Sequence, residues 1–143
     1  MIENIIFSNI TFATIIRANY KKEGISFFTP DDFSQQLGYM NRPKGYVIDP
    51  HYHNYIDRNI TITQEVLYIK SGVVRVDFYT NTNTYLESKI LYTGDVILLA
   101  AGAHGFEILE EAEIIEVKQG PYNQDTDKVH LIKNFSSPII KDE

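Results

Sequence analysis

Short runs of apolar and aromatic residues, separated by turn-forming residues, dominate the pattern along this chain. Ile, Val, Tyr, Phe and Thr recur in these runs, and Gly, Asn, Asp and Ser interrupt them. In the segment from Val74 to Tyr79, apolar and polar side chains alternate with the two-residue period of a half-buried strand. Many short strands with little helix predict an all-β fold, either a sandwich or a jelly roll.

The same pattern predicts where the elements lie. The expected strands are one or two in 2–18, then 45–53, 64–69, 73–79, 85–91, 95–99, 106–109 and 113–118. The expected connections are a hairpin turn at Ser71-Gly72, a turn at 81–84 and a tight connection at 110–112. One short helical segment is expected after Thr29 and up to Gly38, because Thr suits an N-cap and Pro30 suits the first helical position.

Length and composition narrow the class of protein. The 143 residues are interpreted as a single domain, 1–143, in which segment 1–20 is a candidate dimer arm. The absence of cysteine excludes disulfides, thiolate metal ligands and cysteine nucleophiles. A net charge of −6 provides no basic footprint for phosphate, so a nucleic-acid partner is not expected.

The amino-terminal segment favours a cytoplasmic protein. It carries Glu3 and lacks the basic n-region of a signal peptide. No stretch reaches the ~20 apolar residues of a membrane span. We therefore expect a soluble cytoplasmic protein without a membrane partner.

Three histidines and one glutamate form the sharpest chemical feature. His51 and His53 stand two residues apart, so a strand would place both imidazoles on one face. Glu65 opens the next expected strand, and His104 follows a glycine turn. Such nitrogen and oxygen donors suit Fe, Mn, Ni, Co or Zn better than Ca or Mg. On spacing alone, a metal site and ordinary surface histidines are equal alternatives.

Two segments resemble the motifs of the cupin superfamily. In the first, 45–72, Gly45 and YVIDP precede His51-Tyr52-His53, and VLYIKS separates Glu65 from Gly72. In the second, 94–107, Gly94 and DVILL precede Ala100, Gly102 and His104. The resemblance implies a jelly-roll, or double-stranded β-helix, barrel. It also implies one divalent transition metal (Fe, Mn, Ni or Zn) and a small-molecule ligand at the open end. The implied metal ligands are His51, His53, Glu65 and His104.

The chain departs from the cupin pattern in three ways. Eleven residues separate His53 from Glu65, which is a longer spacer than the family has. Ala100 stands where the family has proline, and His104 comes one residue early, without the asparagine that ends the motif. If Glu65 is not a ligand, the alternatives are Asp57, Glu107 or a site with three protein ligands.

Several other side chains are candidates for the pocket. Arg58 is either a bidentate clamp for a carboxylate or phosphate or a surface arginine. Lys118 and Tyr122 are candidate acid/base or anion-binding residues, although Lys118 is equally expected to point outward from an edge strand. Two glutamates could accept hydrogen bonds from imidazole N–H groups or could simply be solvated charges: Glu107 and Glu116. Four tyrosines could line a sugar-binding site or belong to the core: Tyr39, Tyr46, Tyr55 and Tyr68. His130 is interpreted as a structural or surface residue.

The expected function depends on a closer resemblance. Segments such as 64–67, 102–106 and 118–122 are similar to those of small bacterial single-domain cupins, the WbuC-type cupin metalloproteins. This implies an isomerase or epimerase acting on a sugar or sugar-nucleotide in surface polysaccharide biosynthesis. The alternatives are an Fe(II)-dependent dioxygenase and a non-catalytic cupin that binds or senses a small ligand. We also expect a homodimer in which segment 2–18 covers a sheet edge of the neighbour.

Overall fold

A computed structural model describes residues 1–141 and shows an all-β chain. Its antiparallel main sheet curls into a half-barrel, so the expected all-β class is confirmed. The strands are β1 Ile2–Phe7, β2 Ile10–Ile16, β3 Gly24–Phe27, β4 Gly38–Asn41, β5 Glu65–Tyr79, β6 Tyr85–Tyr92, β7 Val96–Leu99 and β8 Ala103–Lys118. Within residues 1–141, no helix has the length and apolar character needed to cross a membrane.

The six-stranded main sheet is organised around β5. Its order is β1-β2-β7-β5-β6, with β8 on the other side of β5, while β3 and β4 form a separate two-stranded sheet. Residues 65–68 of β5 pair with β7, and residues 73–79 pair with β6. Strand β8 accompanies β5 from end to end, which ties the two halves of the curled sheet together.

Two expected chain reversals are instead bends within continuous strands. The hairpin predicted at Ser71-Gly72 and the connection predicted at 110–112 were both wrong. Gly72 has φ +86°, and a Cβ there would lie 2.1 Å from the Glu111 carbonyl oxygen. The pairing of β5 with β8 shifts register around Ser71 and Val73. Gly72 therefore permits a close approach of the two bent strands, which a glycine in sequence does not distinguish from a turn.

The main core lies on one face of the sheet. Alternate residues of β5 face it, and they pack against apolar residues of β1, β2, β6 and β7. Its buried members are Ile5, Phe12, Ala13, Ile15, Leu67, Ile69, Val74, Val76, Phe78, Leu91, Ile97 and Leu99. A smaller cluster around Ile16, Leu37, Leu98 and Ala100 packs against the β3–β4 sheet and its connections. The two-residue period of β5 thus matches a sheet with one face on the core.

The helical segment expected between Thr29 and Gly38 does not form. The chain makes turns instead, and the Leu37 N–H donates to Thr29 Oγ1 at 3.2 Å. The side chain of Gln36 reaches back to the Pro30 carbonyl at 2.8 Å. Side chains therefore satisfy the polar groups that a helix would have paired, and Leu37 is drawn into the smaller core cluster.

The strand expected over 45–53 is also absent. All residues from 42 to 63 are exposed and belong to no strand. Gly45 has φ +85°, and Pro50 lacks the N–H that a sheet ladder needs. Strands β3 and β4, which the sequence pattern did not predict, form immediately before this segment. Segment 45–53 therefore pairs with no sheet edge among the described residues.

Candidate functional site

Glu65 and His104 meet at one end of the main core. Glu65 is the first residue of β5, and it shares a face with Leu67 and Ile69 because side chains alternate along a strand. His104, near the start of β8, stands opposite the core residue Phe78. The two side chains are therefore directed to the same side of the sheet, and His104 Nε2 lies 3.1 Å from Glu65 Oε2.

The surroundings of this pair keep Glu65 ionised. The hydrogen bond with His104 lowers the pKa of Glu65, and this effect outweighs burial, which would raise it. Lys118 and Lys128 add smaller electrostatic contributions in the same direction. An ionised Glu65 accepts a hydrogen bond from the His104 Nε2–H group. The contact thereby orients the imidazole ring.

Lys118 sits beside this pair in an acidic cluster. Its Nζ lies 3.8 Å from Glu65 Oε1, 3.3 Å from Glu116 Oε1 and 3.5 Å from Asp127 Oδ2. Although burial alone would lower the pKa of Lys118, the three carboxylates raise it. Its ammonium group also lies 4.9 Å from the centre of the Tyr122 ring. Lys118 is therefore a permanent cation that balances the carboxylates, which makes it a poor proton acceptor.

A cavity of about 620 Å³ opens next to Glu65 and His104. Strands β5 and β8 form one wall, and the segment 127–133 forms another. The wall carries charged side chains, since it contains Asp77, Glu107 and Lys128 besides the central pair, together with apolar residues such as Phe106. We call this space the polar cavity. His130, interpreted from sequence as a structural or surface residue, lines it as well.

A second cavity of about 500 Å³ lies on the other side of His104. Its lining is mostly apolar and comes from the tip of the β1–β2 hairpin, the end of β7 and the segment before β5. The apolar members are Phe7, Ile10, Phe12, Ile62, Leu99 and Ala101. We call this space the apolar cavity. Both cavities share the residues Thr63, Asn81, Gly102 and His104, so the imidazole stands at their junction.

The other histidines predicted as ligands lie elsewhere. The rings of His51 and His53 are 5.5 Å apart in the exposed segment 42–63. His51 Nδ1 is 2.9 Å from the Asp49 carbonyl oxygen, a purely local contact. Neither histidine lines the polar or the apolar cavity. The four predicted metal ligands therefore form two separate pairs, His51 with His53 and Glu65 with His104.

The donor chemistry of the Glu65–His104 pair fits part of a metal site. One carboxylate oxygen and one imidazole nitrogen at 3.1 Å suit two neighbouring ligands of a transition metal. Among residues 1–141, however, no three His, Cys, Asp or Glu side chains are grouped so that they would hold a metal ion. The four-ligand site remains a prediction.

The remaining candidates fall into different places. Arg58 and Asp57 are exposed in segment 42–63, and neither lines the two cavities. Glu107 pairs with Arg75 at 2.6 Å and with Lys133 at 3.4 Å. Of the four tyrosines considered for a sugar platform, Tyr39 packs in the smaller core cluster, and none lines either cavity.

The sequence pattern missed a buried polar network on the face of β5 opposite the main core. Arg75 donates two hydrogen bonds to Asp77, and Ser88 donates a third to the same carboxylate. The hydrogen bonds with Asp77 raise the pKa of Arg75 despite its burial. The alternation in 73–79 marked these residues as the solvent face. They are buried because Phe135 of the carboxyl-terminal segment covers them, with its ring 5.6 Å from the Arg75 guanidinium.

Fold and site together define a class rather than a family. The chain is an all-β half-barrel with a carboxylate–imidazole pair between a polar and an apolar cavity. No protein-family model matches it, and neither a curated protein nor a solved structure is detectably similar to it.

Proposed function

We propose that this chain is a small-molecule enzyme of the isomerase or epimerase type, acting on a sugar or sugar-nucleotide in surface polysaccharide biosynthesis. The observation that carries the proposal is the 3.1 Å contact between His104 and Glu65 at the wall of the polar cavity. A carboxylate-oriented imidazole beside a cavity is the arrangement that general acid–base catalysis requires. The resemblance of segments 64–67, 102–106 and 118–122 to small bacterial cupins of the WbuC type supports the substrate class.

In this mechanism His104 moves the proton and Glu65 positions it. The neutral imidazole removes a proton from a carbon next to a carbonyl group of the bound sugar. The resulting imidazolium is stabilised by the Glu65 carboxylate. Return of this proton to the neighbouring carbonyl carbon, while the hydroxyl proton passes between the two oxygens, gives isomerisation. Delivery of a solvent proton to the opposite face of the original carbon, with the imidazolium releasing its own proton to solvent, gives epimerisation. The Lys118 ammonium, 3.8 Å from Glu65, adds a smaller electrostatic stabilisation of the carboxylate.

A metal-dependent form of the site is the second candidate, favoured by the donor spacing of Glu65 and His104. With one Fe, Mn, Ni or Zn ion bound, these residues would be ligands, and His51 and His53 would complete the set after segment 42–63 rearranged. The ion would supply Lewis-acid polarisation of the substrate carbonyl. A dioxygenase would instead require bound iron and consumption of oxygen, and a sensing protein would bind its ligand without turnover.

Solvent proton exchange tests the proposal directly. The protein is incubated in D₂O with a panel of UDP- and dTDP-linked sugars, and deuterium incorporation at carbon is followed by mass spectrometry. We expect exchange by the native protein, a loss of about 100-fold or more in His104→Gln, and a smaller loss in Glu65→Gln. Glu111→Gln, an exposed glutamate of β8, is the matched control and should exchange normally. Exchange at the native rate in His104→Gln, or no exchange with any sugar, contradicts the proposal.

A further inference from the structure

The two cavities that meet at His104 differ sharply in chemical character. The polar cavity carries carboxylates, Lys128 and Lys133, whereas the apolar cavity is walled mainly by aromatic and aliphatic groups. Each volume, about 620 and 500 Å³, lies within the range of small-molecule sites. A ligand bound at His104 would therefore have one side in a charged environment and the other against hydrocarbon.

Close packing fixes the backbone where the two cavities meet. Gly102 has φ +72°, and a Cβ at this position would lie 2.2 Å from the ring of Phe12. The backbone of the turn before β8 thus packs directly on an apolar wall residue. His104 follows two residues later, so its position relative to that wall is set by the same packing.

We propose that the apolar cavity holds an apolar group of the same substrate whose polar part reacts at His104. The substrate class is accordingly an amphipathic small molecule: a hydroxyl- or carbonyl-bearing part in the polar cavity, and an alkyl or aryl substituent against Phe12, Leu99 and Ala101. This inference rests on the proposed function, because it uses His104 as the reacting group. The inferred substrate is accordingly a sugar that carries an apolar substituent, and not a wholly polar sugar.

The exposed members of the apolar wall support a role in ligand binding. Phe7, Ile10 and Ile62 are 42%, 53% and 58% exposed, although they border a concave space beside a polar site. Burying such surface against a ligand substituent is favourable by about 0.8 kcal/mol per methylene. This corresponds to roughly a fourfold gain in affinity for each methylene that enters the cavity.

Chain-length dependence of binding is the test. Methyl, butyl and hexyl β-glucoside are titrated into the full chain, with ligand-observed NMR giving Kd. We expect Kd to fall about fourfold for each added methylene until the cavity is filled. We also expect nuclear Overhauser contacts from the alkyl chain to phenylalanine ring protons. A Kd that does not depend on chain length, or no binding of any glucoside, overturns the inference.

Variants assign the effect to this cavity. Ala101→Phe should abolish the chain-length dependence and leave the Kd of methyl glucoside unchanged, because it fills the apolar cavity only. Ile62→Ser serves as a second variant in case Ala101→Phe does not fold. It should raise the Kd of hexyl glucoside at least threefold. Ile48→Ser is the control, since Ile48 is similarly exposed at 53% and lines neither cavity. Native chain-length dependence in both cavity variants contradicts the assignment.

The outcome is separable from that of the proposed function. Binding is measured without turnover, so the alkyl effect stands or fails independently of deuterium exchange. Chain-length dependence together with native exchange in His104→Gln would refute the catalytic role and retain the apolar subsite. Normal loss of exchange in His104→Gln with no alkyl effect would refute the subsite and retain the catalytic role.

Discussion

Glu65 and His104 are the two residues for which a reading of the sequence and the structure agree most closely. Their contact depends on strand geometry: Glu65 is an even number of residues from the core positions Leu67 and Ile69, and His104 of β8 stands opposite the core residue Phe78. His51 and His53 are also two residues apart in sequence, a spacing that would place both side chains on one face of a strand. In the structure, however, neither residue belongs to a strand. Parity predicts a shared face only where a partner strand exists.

Metal binding is the first prediction at this scale. If Glu65 and His104 are ligands, adding Mn, Fe, Ni or Zn to the native protein should raise its Tm, since saturation at about 100 Kd is worth roughly 2.7 kcal/mol. Glu65→Gln and His104→Gln should lose this shift, and His51→Gln should lose it only if segment 42–63 joins the site. His130→Gln is the control within the same cavity. Native metal content in His104→Gln, measured by elemental analysis, would disprove the ligand assignment.

The second prediction concerns Gly102. Replacement by alanine introduces a Cβ into the ring of Phe12 at a backbone conformation that disfavours side chains. We expect the free energy of unfolding, measured with urea, to fall by about 1–3 kcal/mol. Gly45→Ala separates the two causes, because Gly45 has φ +85° but nothing within 4 Å of the added Cβ. Equal losses in both variants would show that the Phe12 contact is unimportant.

At the scale of elements, the long strands β5 and β8 show what local patterns cannot resolve. Gly72 and the 110–112 segment are turn signals in sequence, and in the structure they lie opposite each other on two continuous strands. The local composition indicates an irregularity at these residues. Whether the irregularity becomes a chain reversal or a bend within a continuous strand depends on the neighbouring strand. By contrast, β6 and β7 formed close to their predicted bounds, because each joins a neighbour without an internal irregularity at a glycine.

The carboxyl-terminal segment gives the prediction for this scale. Its Phe135 ring stacks on the Tyr85 ring, with the ring centres 4.0 Å apart. The Ser88 N–H group of β6 donates a hydrogen bond to the Ile139 carbonyl oxygen at 2.8 Å. Phe135→Ala should lower the free energy of unfolding by about 2–4 kcal/mol and accelerate amide exchange in segment 133–141. Val129→Ala, at a position 90% exposed, should change neither quantity. Unchanged amide exchange in Phe135→Ala would show that this ring does not hold the segment.

At the scale of the whole molecule, buried charges connect strands that are distant in sequence. Arg17, which directly follows β2, forms ion pairs with Glu3 of β1 and with Asp95, which directly precedes β7. Lys89 of β6 lies 3.1 Å from Glu3 Oε2. Asp95 also accepts the Ala18 and Tyr92 N–H groups. Two acids balance two bases inside the sheet, so the network is electrically neutral. Removing one member leaves a charge without its partner.

The pH dependence of stability follows from Glu3. Burial alone would raise the pKa of Glu3, but Arg17 and Lys89 lower it below the usual 4.5. Its stabilising contribution is therefore complete above pH 4.5 and is lost as pH falls through the lower folded-state pKa. Glu3→Gln should cost about 3–5 kcal/mol at pH 7, and its difference from the native protein should shrink in acid. Urea unfolding between pH 7 and 3 measures this, with the exposed Glu23→Gln as control; a pH-independent difference would contradict it.

Association of two copies remains a prediction. Strands β1 and β2 pair with each other in the chain's own sheet, so the expected arm can offer only the outer edge of β1. Strand β8 pairs with β5 along one side and, within residues 1–141, with no strand on the other. Unpaired edges of this kind favour pairing with a second chain. Light scattering at micromolar concentration should give twice 16.5 kDa, and a monomeric mass would refute the dimer.

The sequence by itself determined the all-β class and, to within one residue, the bounds of β6 and β7, and it singled out Glu65 and His104, which the structure brings into contact. These features depend on period, composition and side-chain parity, which are local. Only the tertiary structure decided that β5 and β8 run unbroken, that Arg75 and Asp77 are buried, and that His51 and His53 lie apart from His104. Each of these depends on which distant segment covers a face or edge, and that is settled by packing between residues far apart in the chain.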